Sequence, residues 1–225
     1  MELANWLSIL FISTTMATVG LFFLATKKHL SSLILILVLG LIQGILAWHG
    51  FFMDFKAMPP RVVFLLPPAI LIMIYTFYSA AGKRLINQVD LKMMTLLSVF
   101  RVPVEIVLLY LFLSGLLPES MTFEGRNFDM ISGLSAPLIF WFAFKNGKIN
   151  KKLLLVWNVI SFALLIQVVA TALISIPSPM QLQAFDKPAI GVLQFPFIWL
   201  PGIIVPIVAF THLVSIQKLR KLLNN

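Results

Sequence analysis

The chain has 225 residues, of which 60% are hydrophobic and 11% charged, and its mean hydropathy is +1.00. A typical soluble domain carries about twice that share of charged residues, so soluble enzymes and soluble binding proteins are excluded. The sequence contains no cysteine, which also excludes disulfides, thiol catalysis and thiolate metal sites.

Seven apolar segments follow one another along the chain, each close to or above the length that crosses the hydrocarbon core of a membrane. The segments are 5–26, 30–52, 62–81, 93–117, 128–144, 153–176 and 194–216. The sequence therefore predicts an all-α, polytopic membrane protein, with residues 1–225 forming a single domain of seven transmembrane helices. No basic stretch precedes the first segment, so we predict no cleavable signal peptide.

The basic residues predict the orientation. Twelve of the seventeen lysines and arginines fall in the odd-numbered connections or the C-terminal tail: Lys27, Lys28, Lys83, Arg84, Lys92, Lys145, Lys148, Lys151, Lys152, Lys218, Arg220 and Lys221. By the positive-inside rule this side faces the cytoplasm, with the N-terminus outside and the C-terminus inside an inner (plasma) membrane. This distribution accounts for the net charge of +9 without nucleic acid. We expect membrane lipids as partners, with the basic tail at anionic headgroups.

The second and third spans carry the first unusual residues. Gln43 lies near the middle of the second span, and Pro67 and Pro68 lie inside the third. The two prolines leave the carbonyls of Val63 and Phe64 without helical donors, so the sequence predicts a bend there. In a membrane such a break is tolerated where neighbouring helices or cavity water satisfy the backbone, which suits a ligand site and a structural kink equally.

The fourth span contains the two charges predicted to lie within the bilayer, Arg101 and Glu105. They are four residues apart, and therefore on one helix face, with Pro103 between them. A charge at the bilayer centre costs roughly 3 kcal/mol on insertion scales, so each charge requires compensation. Two interpretations stay open: the side chains neutralise each other as an internal staple, or they line a polar cavity that handles a ligand or protons.

The most polar connection follows this span and carries Glu124, Arg126 and Asp129. It is either a solvated loop, with Asn127 or Asp129 as the cap of the next helix, or a loop that folds over the mouth of a cavity and supplies polar groups.

The stretch from Met121 to Leu134 resembles sequences in uncharacterised multi-pass inner-membrane proteins of bacteria. The resemblance extends loosely to residues 101–105 and to the seventh span. It implies a membrane location and carries no activity.

A Lys-Lys pair opens a span with a central glutamine twice in the chain, at Lys27 to Gln43 and at Lys151 to Gln167, and a proline-broken span follows each. This pattern indicates candidate parallel repeats, 5–81 and 128–216, linked by the helix 93–117. The resulting 3+1+3 plan resembles that of the SWEET sugar transporters. The resemblance is of plan only, because the chain lacks a matching pair of Pro-Gln motifs, and it carries no substrate.

The sequence argues against the common cofactors of membrane proteins, and we expect none. The seventh span has no lysine to hold retinal. His49 and His212 are predicted near opposite membrane faces, whereas paired haem ligands need one depth. Three histidines without cysteine give weak support for a transition metal, so no metal site is predicted.

Three functions remain open on the sequence. The first is binding or translocation of a small polar or amphipathic solute through a cavity open to the outer side, with Glu105 binding the solute or carrying a proton. The second is a membrane-embedded enzyme acting on a lipid or isoprenoid, with Glu105 as general acid. The third is a structural or assembly role. The candidate site residues are Arg101, Glu105, Glu124, Arg126, Asp129, Asp186, Gln43 and Gln167, of which Glu124, Asp129 and Asp186 are the candidate bases of the enzyme.

Overall fold

The computed structural model describes residues 5–224, and this part of the chain is mainly helical, without strands. Its nine α-helices are α1 Asn5–Ala25, α2 Leu30–Trp48, α3 Leu66–Tyr78, α4 Ala80–Gln88, α5 Leu91–Leu97, α6 Arg101–Leu113, α7 Asp129–Ala143, α8 Lys151–Ser175 and α9 Val205–Asn224. The predicted all-α class is confirmed.

Six helical segments are long and apolar enough to cross a membrane, which is the pattern of a multi-pass membrane protein. They are Asn5–Ala25, Leu30–Trp48, Arg61–Tyr78, Leu91–Leu113, Lys151–Ser175 and Leu200–Asn224. The remaining apolar helix, α7, has 15 residues. At 1.5 Å per residue it is about 22 Å long, short of a hydrocarbon core of about 30 Å.

Three of the membrane-length segments change their helix type close to a proline. A 3₁₀ helix, Arg61–Leu65, precedes α3, whose first turn holds Pro67 and Pro68. A second 3₁₀ turn, Ser98–Phe100, separates α5 from α6 just before Pro103. A π-helical turn, Leu200–Ile204, precedes α9 and contains Pro201. The missing proline N–H groups account for the changes of hydrogen-bonding pattern.

The segments with most of the basic residues lie together at one end of the bundle, which we call the basic end (26–29, 79–90, 144–150 and the C-terminal turns of α9). The amide of Asp90 donates to the carbonyl of Ala25 at 2.9 Å, which joins α1 to the start of α5. The Lys151 ammonium donates to the carbonyl of Leu222, which joins the start of α8 to the end of α9.

The last helix differs from its predicted bounds at both ends. The π turn begins at Leu200, six residues later than the predicted span, because residues 194–198 form a bend and turns. At the other end the helix continues through the basic tail. Lys218 Nζ donates to the carbonyls of Asn87 at 2.9 Å and Val89 at 2.8 Å, so this lysine caps the end of α4 rather than standing free for lipid headgroups.

The third predicted span also ends differently. Helix α3 stops at Tyr78, and Ser79 begins the separate helix α4 by accepting from the amide of Gly82 at 3.0 Å. Helix α4 is amphipathic, with Leu85 and Ile86 buried, and lies along the basic end. The apolar run 62–81 includes only the first two residues of α4. It gives no sign of a separate helix, because the polar residues of α4 follow the run directly.

Helix α9 is at the centre of the bundle and packs against α3, α4, α5 and α8, whereas α1 packs against α2, α5 and α6. The opposite end of the molecule, the loop end, holds the connections 49–60, 114–128 and 176–199. Two of these connections bond across it, since the amide of Gly191 donates to the carbonyl of Leu116 at 2.8 Å. The bundle therefore has a closed loop end and a basic end, with polar groups between them.

Candidate functional site

A buried ion pair joins α6 to α7. Arg101 Nη1 donates to Asp129 Oδ1, and the two residues are 3% and 6% exposed. One of the two sequence interpretations had Arg101 and Glu105 neutralise each other. In residues 5–224 the guanidinium instead bridges to Asp129, and no salt bridge includes Glu105. The change of partner occurs because α7 starts with Asp129 directly beside the first turn of α6.

The other side of the guanidinium contacts α8 and α9. Arg101 Nη2 lies 2.7 Å from His212 Nε2, and Nη1 donates to the carbonyl of Ser161 at 3.3 Å. Arginine can only donate, so His212 Nε2 accepts and its Nδ1 carries the hydrogen. That Nδ1 then donates to Asn158 Oδ1 at 2.9 Å. The bonds fix one neutral tautomer of the imidazole and connect four helices through one arginine.

Gly133 allows α7 to approach this turn. A Cβ atom at Gly133 would lie 2.9 Å from Val102 Cγ2 and 3.2 Å from both Arg101 Cβ and the carbonyl oxygen of Ser98. Contacts this short require the neighbours to move, so a side chain here would push α7 away from α6. Glycine at this position keeps Asp129 within reach of Arg101.

Glu105 is held by the loop that precedes α7. Asn127 Nδ2 donates to Glu105 Oε1 and, at 3.1 Å, to the carbonyl of Met121, while its Oδ1 accepts from the amide of Asp129 at 3.0 Å. The loop thus supplies a buried polar group, as one of the two sequence interpretations predicted. Asn127 is the residue that bonds Glu105, whereas the charged residues Glu124 and Arg126 of the loop are exposed.

A cavity of about 80 Å³ lies between α3, α6, α8 and α9. We call it the central cavity. Its polar lining residues are Arg101, Glu105 and Asp129. The rest of its lining is apolar: Val62, Leu65, Leu66, Val104, Leu108, Met121, Leu165, Val168, Val169, Ala172, Leu173, Ile176, Val192, Leu200, Pro201, Ile204, Val205 and Val208. An apolar cavity with a few convergent polar groups is typical of a small-molecule site.

Two polar atoms at the charged end of this cavity have no protein hydrogen-bond partner among the described residues. They are Glu105 Oε2 and Arg101 Nε. Both side chains are almost fully buried, at 2% and 3% exposure, so the unmade hydrogen bonds carry a desolvation penalty of about 1–3 kcal/mol each. A bound molecule that bonded these atoms would recover that free energy.

The other charged candidate residues lie away from the central cavity. Glu124, Arg126 and Asp186 are exposed and do not line the central cavity. The structure therefore brings three of the eight candidate residues together.

The two glutamines that the candidate repeat makes equivalent have different surroundings. Gln43 is buried against the π turn, where a Cβ atom at Gly202 would overlap its side-chain amide. Gln167 donates to the carbonyl of Arg126 at 2.5 Å and so anchors the loop before α7 to α8. Neither glutamine lines the central cavity.

The central cavity is roofed at the loop end. Met121, Ile176 and Val192 line it from three connections or helix ends there, and each is at most 4% exposed. At these three positions apolar side chains cover this end of the cavity. The hydrogen bond between Gly191 and Leu116 holds the covering loops together.

Sequence reasoning missed Asn127 as a site residue, and also His212 and Asn158. His212 was placed near a membrane face, whereas it is 1% exposed in the middle of the bundle. The available signal was that His212 and Asn158 are polar residues inside apolar spans, where such residues face the protein interior. Asn127 gave no such signal because it lies in a polar loop.

No cluster of three or more histidine or acidic side chains able to hold a metal ion occurs in residues 5–224.

A family model described as Domain of unknown function (DUF8737) matches residues 58–220. The chain belongs to this family. No curated protein and no solved structure matches it. Every lining residue of the central cavity, from Val62 to Val208, falls within the DUF8737 region, and α1 and α2 fall outside it.

We predict that Asp129→Ala lowers the free energy of unfolding by about 3–5 kcal/mol, because it leaves a buried guanidinium without its counter-charge. The double variant Arg101→Met, Asp129→Leu should recover most of that loss. Unfolding in a denaturing-detergent titration measures both. The control is Asp54→Ala in the part-exposed pair with Arg61 (2.6 Å), which should cost less than about 1 kcal/mol. A double variant no more stable than Asp129→Ala would contradict this account.

A matched glycine pair tests the contact between α6 and α7. Gly133→Ala should destabilise by about 1–3 kcal/mol through overpacking. Gly20→Ala, in α1, meets no atom within 4 Å and should be neutral or stabilising by up to about 1 kcal/mol. Thermal unfolding in detergent compares the two. Equal effects of the two substitutions would show that Gly133 has no special role.

Proposed function

We propose that this protein binds or translocates a small polar or amphipathic solute in its central cavity. The observation that carries the proposal is Glu105 Oε2, an almost fully buried acceptor without a protein partner in an otherwise apolar cavity. Structural polar groups inside proteins are normally satisfied, so an unmatched one beside empty space points to a ligand.

The three charged residues that line the cavity have two different roles. Arg101 and Asp129 bond to each other and act as the frame of the site. Glu105 has one oxygen held by Asn127 and the other free, so it is the group that meets the solute. This division replaces the sequence hypothesis in which Arg101 fixed an anionic solute, because its charge is already matched by Asp129.

The two other functions find less support. An enzyme needs a second acid or base near Glu105, but Glu124 and Asp186 are exposed away from the cavity and Asp129 is bonded to Arg101. A structural role accounts for the ion pair of Arg101 and Asp129. It gives no account of the free oxygen of Glu105 or of the empty space beside it.

We further propose seven membrane crossings in the inner membrane, with the N-terminus outside and the basic end in the cytoplasm. The gathering of most basic residues at one end of the bundle supports this orientation. Helix α7 can complete the seventh crossing together with the loop before it, since residues 121–129 continue from α7 along α6 and α8.

Uptake into proteoliposomes tests the function. We expect a panel of radiolabelled sugars, amino acids, organic cations and long-chain alcohols to contain at least one class that is bound or taken up. Glu105→Gln should reduce that uptake or binding about tenfold or more, because an amide replaces the free carboxyl oxygen at nearly constant shape. Asp186→Asn is the matched control on an exposed acid and should leave it unchanged. A wild-type rate in Glu105→Gln would remove Glu105 from the mechanism.

The native sequence has no cysteine, so single cysteines report the orientation directly. We expect Lys148→Cys, at the basic end, to react with a membrane-impermeant maleimide only after the cells are opened. Lys56→Cys, at the loop end, should react in intact cells. The reverse labelling pattern would overturn the proposed orientation.

A further inference from the structure

The central cavity has its accessible lining on one side of the bundle. The roof residues at the loop end are buried, whereas Leu66 on α3 and Val169 on α8 are partly exposed and Leu173 on α8 is 36% exposed. Helices α3 and α8 both pack on α9, which forms the back of the cavity. The open side therefore lies between α3 and α8, in the part of the chain that faces hydrocarbon.

The lining from α8 and its C-cap residue Ile176 is an uninterrupted apolar stripe. Its members recur at helical spacing on one face: Leu165, Val168, Val169, Ala172, Leu173 and Ile176. From the first to the last the stripe extends about 16 Å at 1.5 Å per residue. A wall of this length with no polar side chain matches an extended hydrocarbon chain better than a sugar or an amino acid, which would leave polar groups unpaired.

The free atoms at the charged end define the head group. Glu105 Oε2 needs a donor, and Arg101 Nε, one helical turn away, needs an acceptor. A hydroxyl group supplies both, whereas an ammonium has no acceptor. A carboxylate would lie beside the acidic Glu105. It would have no free counter-charge, because Arg101 is already paired with Asp129. An uncharged head group is also the one that passes through hydrocarbon at lowest cost.

We infer that the central cavity takes a single-chain lipid alcohol, which arrives from the bilayer between α3 and α8 and bonds its hydroxyl to Glu105 and Arg101. This inference rests on the proposed function and specifies its ligand class. The hydrocarbon chain lies along the α8 stripe, and the hydroxyl completes the two hydrogen bonds that the protein leaves open.

Photolabelling of the purified full chain in phosphatidylcholine nanodiscs tests the ligand class. Three probes share one 16-carbon chain with a diazirine near its end and differ in the head group: alcohol, carboxylic acid or primary amine. Mass spectrometry should find the alcohol on peptides 165–176 and 200–208, at least about tenfold above the other two probes. Glu105→Gln and Glu105→Ala should each lower that labelling about tenfold, and unfolding profiles of both variants establish that they are folded.

The route is tested by filling its rim. Leu173→Trp, at the partly exposed edge of the cavity, should slow the arrival of the alcohol probe about tenfold after mixing with probe-containing vesicles. The matched control is Ile166→Trp on the same helix, since Ile166 is 53% exposed and lies outside the lining. It should leave the arrival rate unchanged. An arrival rate in Leu173→Trp equal to that of the wild type would overturn access between α3 and α8.

The outcomes separate this inference from the function on which it rests. Labelling by the acid or amine as strong as by the alcohol would overturn the ligand class and leave the binding function standing. If no probe labels the protein but another solute shows Glu105-dependent uptake, the ligand class is likewise overturned and the binding function stands. The absence of both labelling and Glu105-dependent uptake would overturn the two together.

Discussion

A buried guanidinium is the constraint on which this structure depends. Arg101 lies in the interior of a membrane-length helix, where an uncompensated charge costs roughly 3 kcal/mol or more. Its compensation comes from three other helices: the carboxylate of Asp129, the imidazole of His212 and the carbonyl of Ser161. Helices α6, α7, α8 and α9 are therefore bound to one another at a single depth.

This requirement also shapes the loop before α7. Asp129 has to begin α7 at the depth of Arg101, so the helix is only 15 residues long and the preceding loop enters the bundle. The loop brings Asn127 to Glu105, and Gln167 on α8 holds the carbonyl of Arg126 behind it. The short helix and the buried loop residue are thus consequences of the same ion pair.

The choice of partner by Arg101 gives Glu105 its chemical character. Paired with Arg101, Glu105 would be a satisfied structural acid. Bonded instead to a neutral amide on one oxygen, it leaves the other oxygen beside an apolar cavity. The region around it combines a buried ion pair with two unpartnered polar atoms, Glu105 Oε2 and Arg101 Nε, an arrangement that would select a ligand by hydrogen bonding rather than by net charge.

The sequence by itself determined the helical membrane class, because apolar segments of spanning length have few other stable structures. It also located the helix break at Pro67 and Pro68, since a proline removes a backbone donor wherever it stands. It identified Arg101 and Glu105 as residues that need an explanation, because of the cost of charge in hydrocarbon, and Asp129 as a candidate from the polar connection that follows them. Only the tertiary structure decided that Arg101 pairs with Asp129, 28 residues away, and not with its neighbour one turn along the helix. Pairing across helices depends on how closely two backbones approach, here at Gly133, and helical periodicity carries no information about that distance.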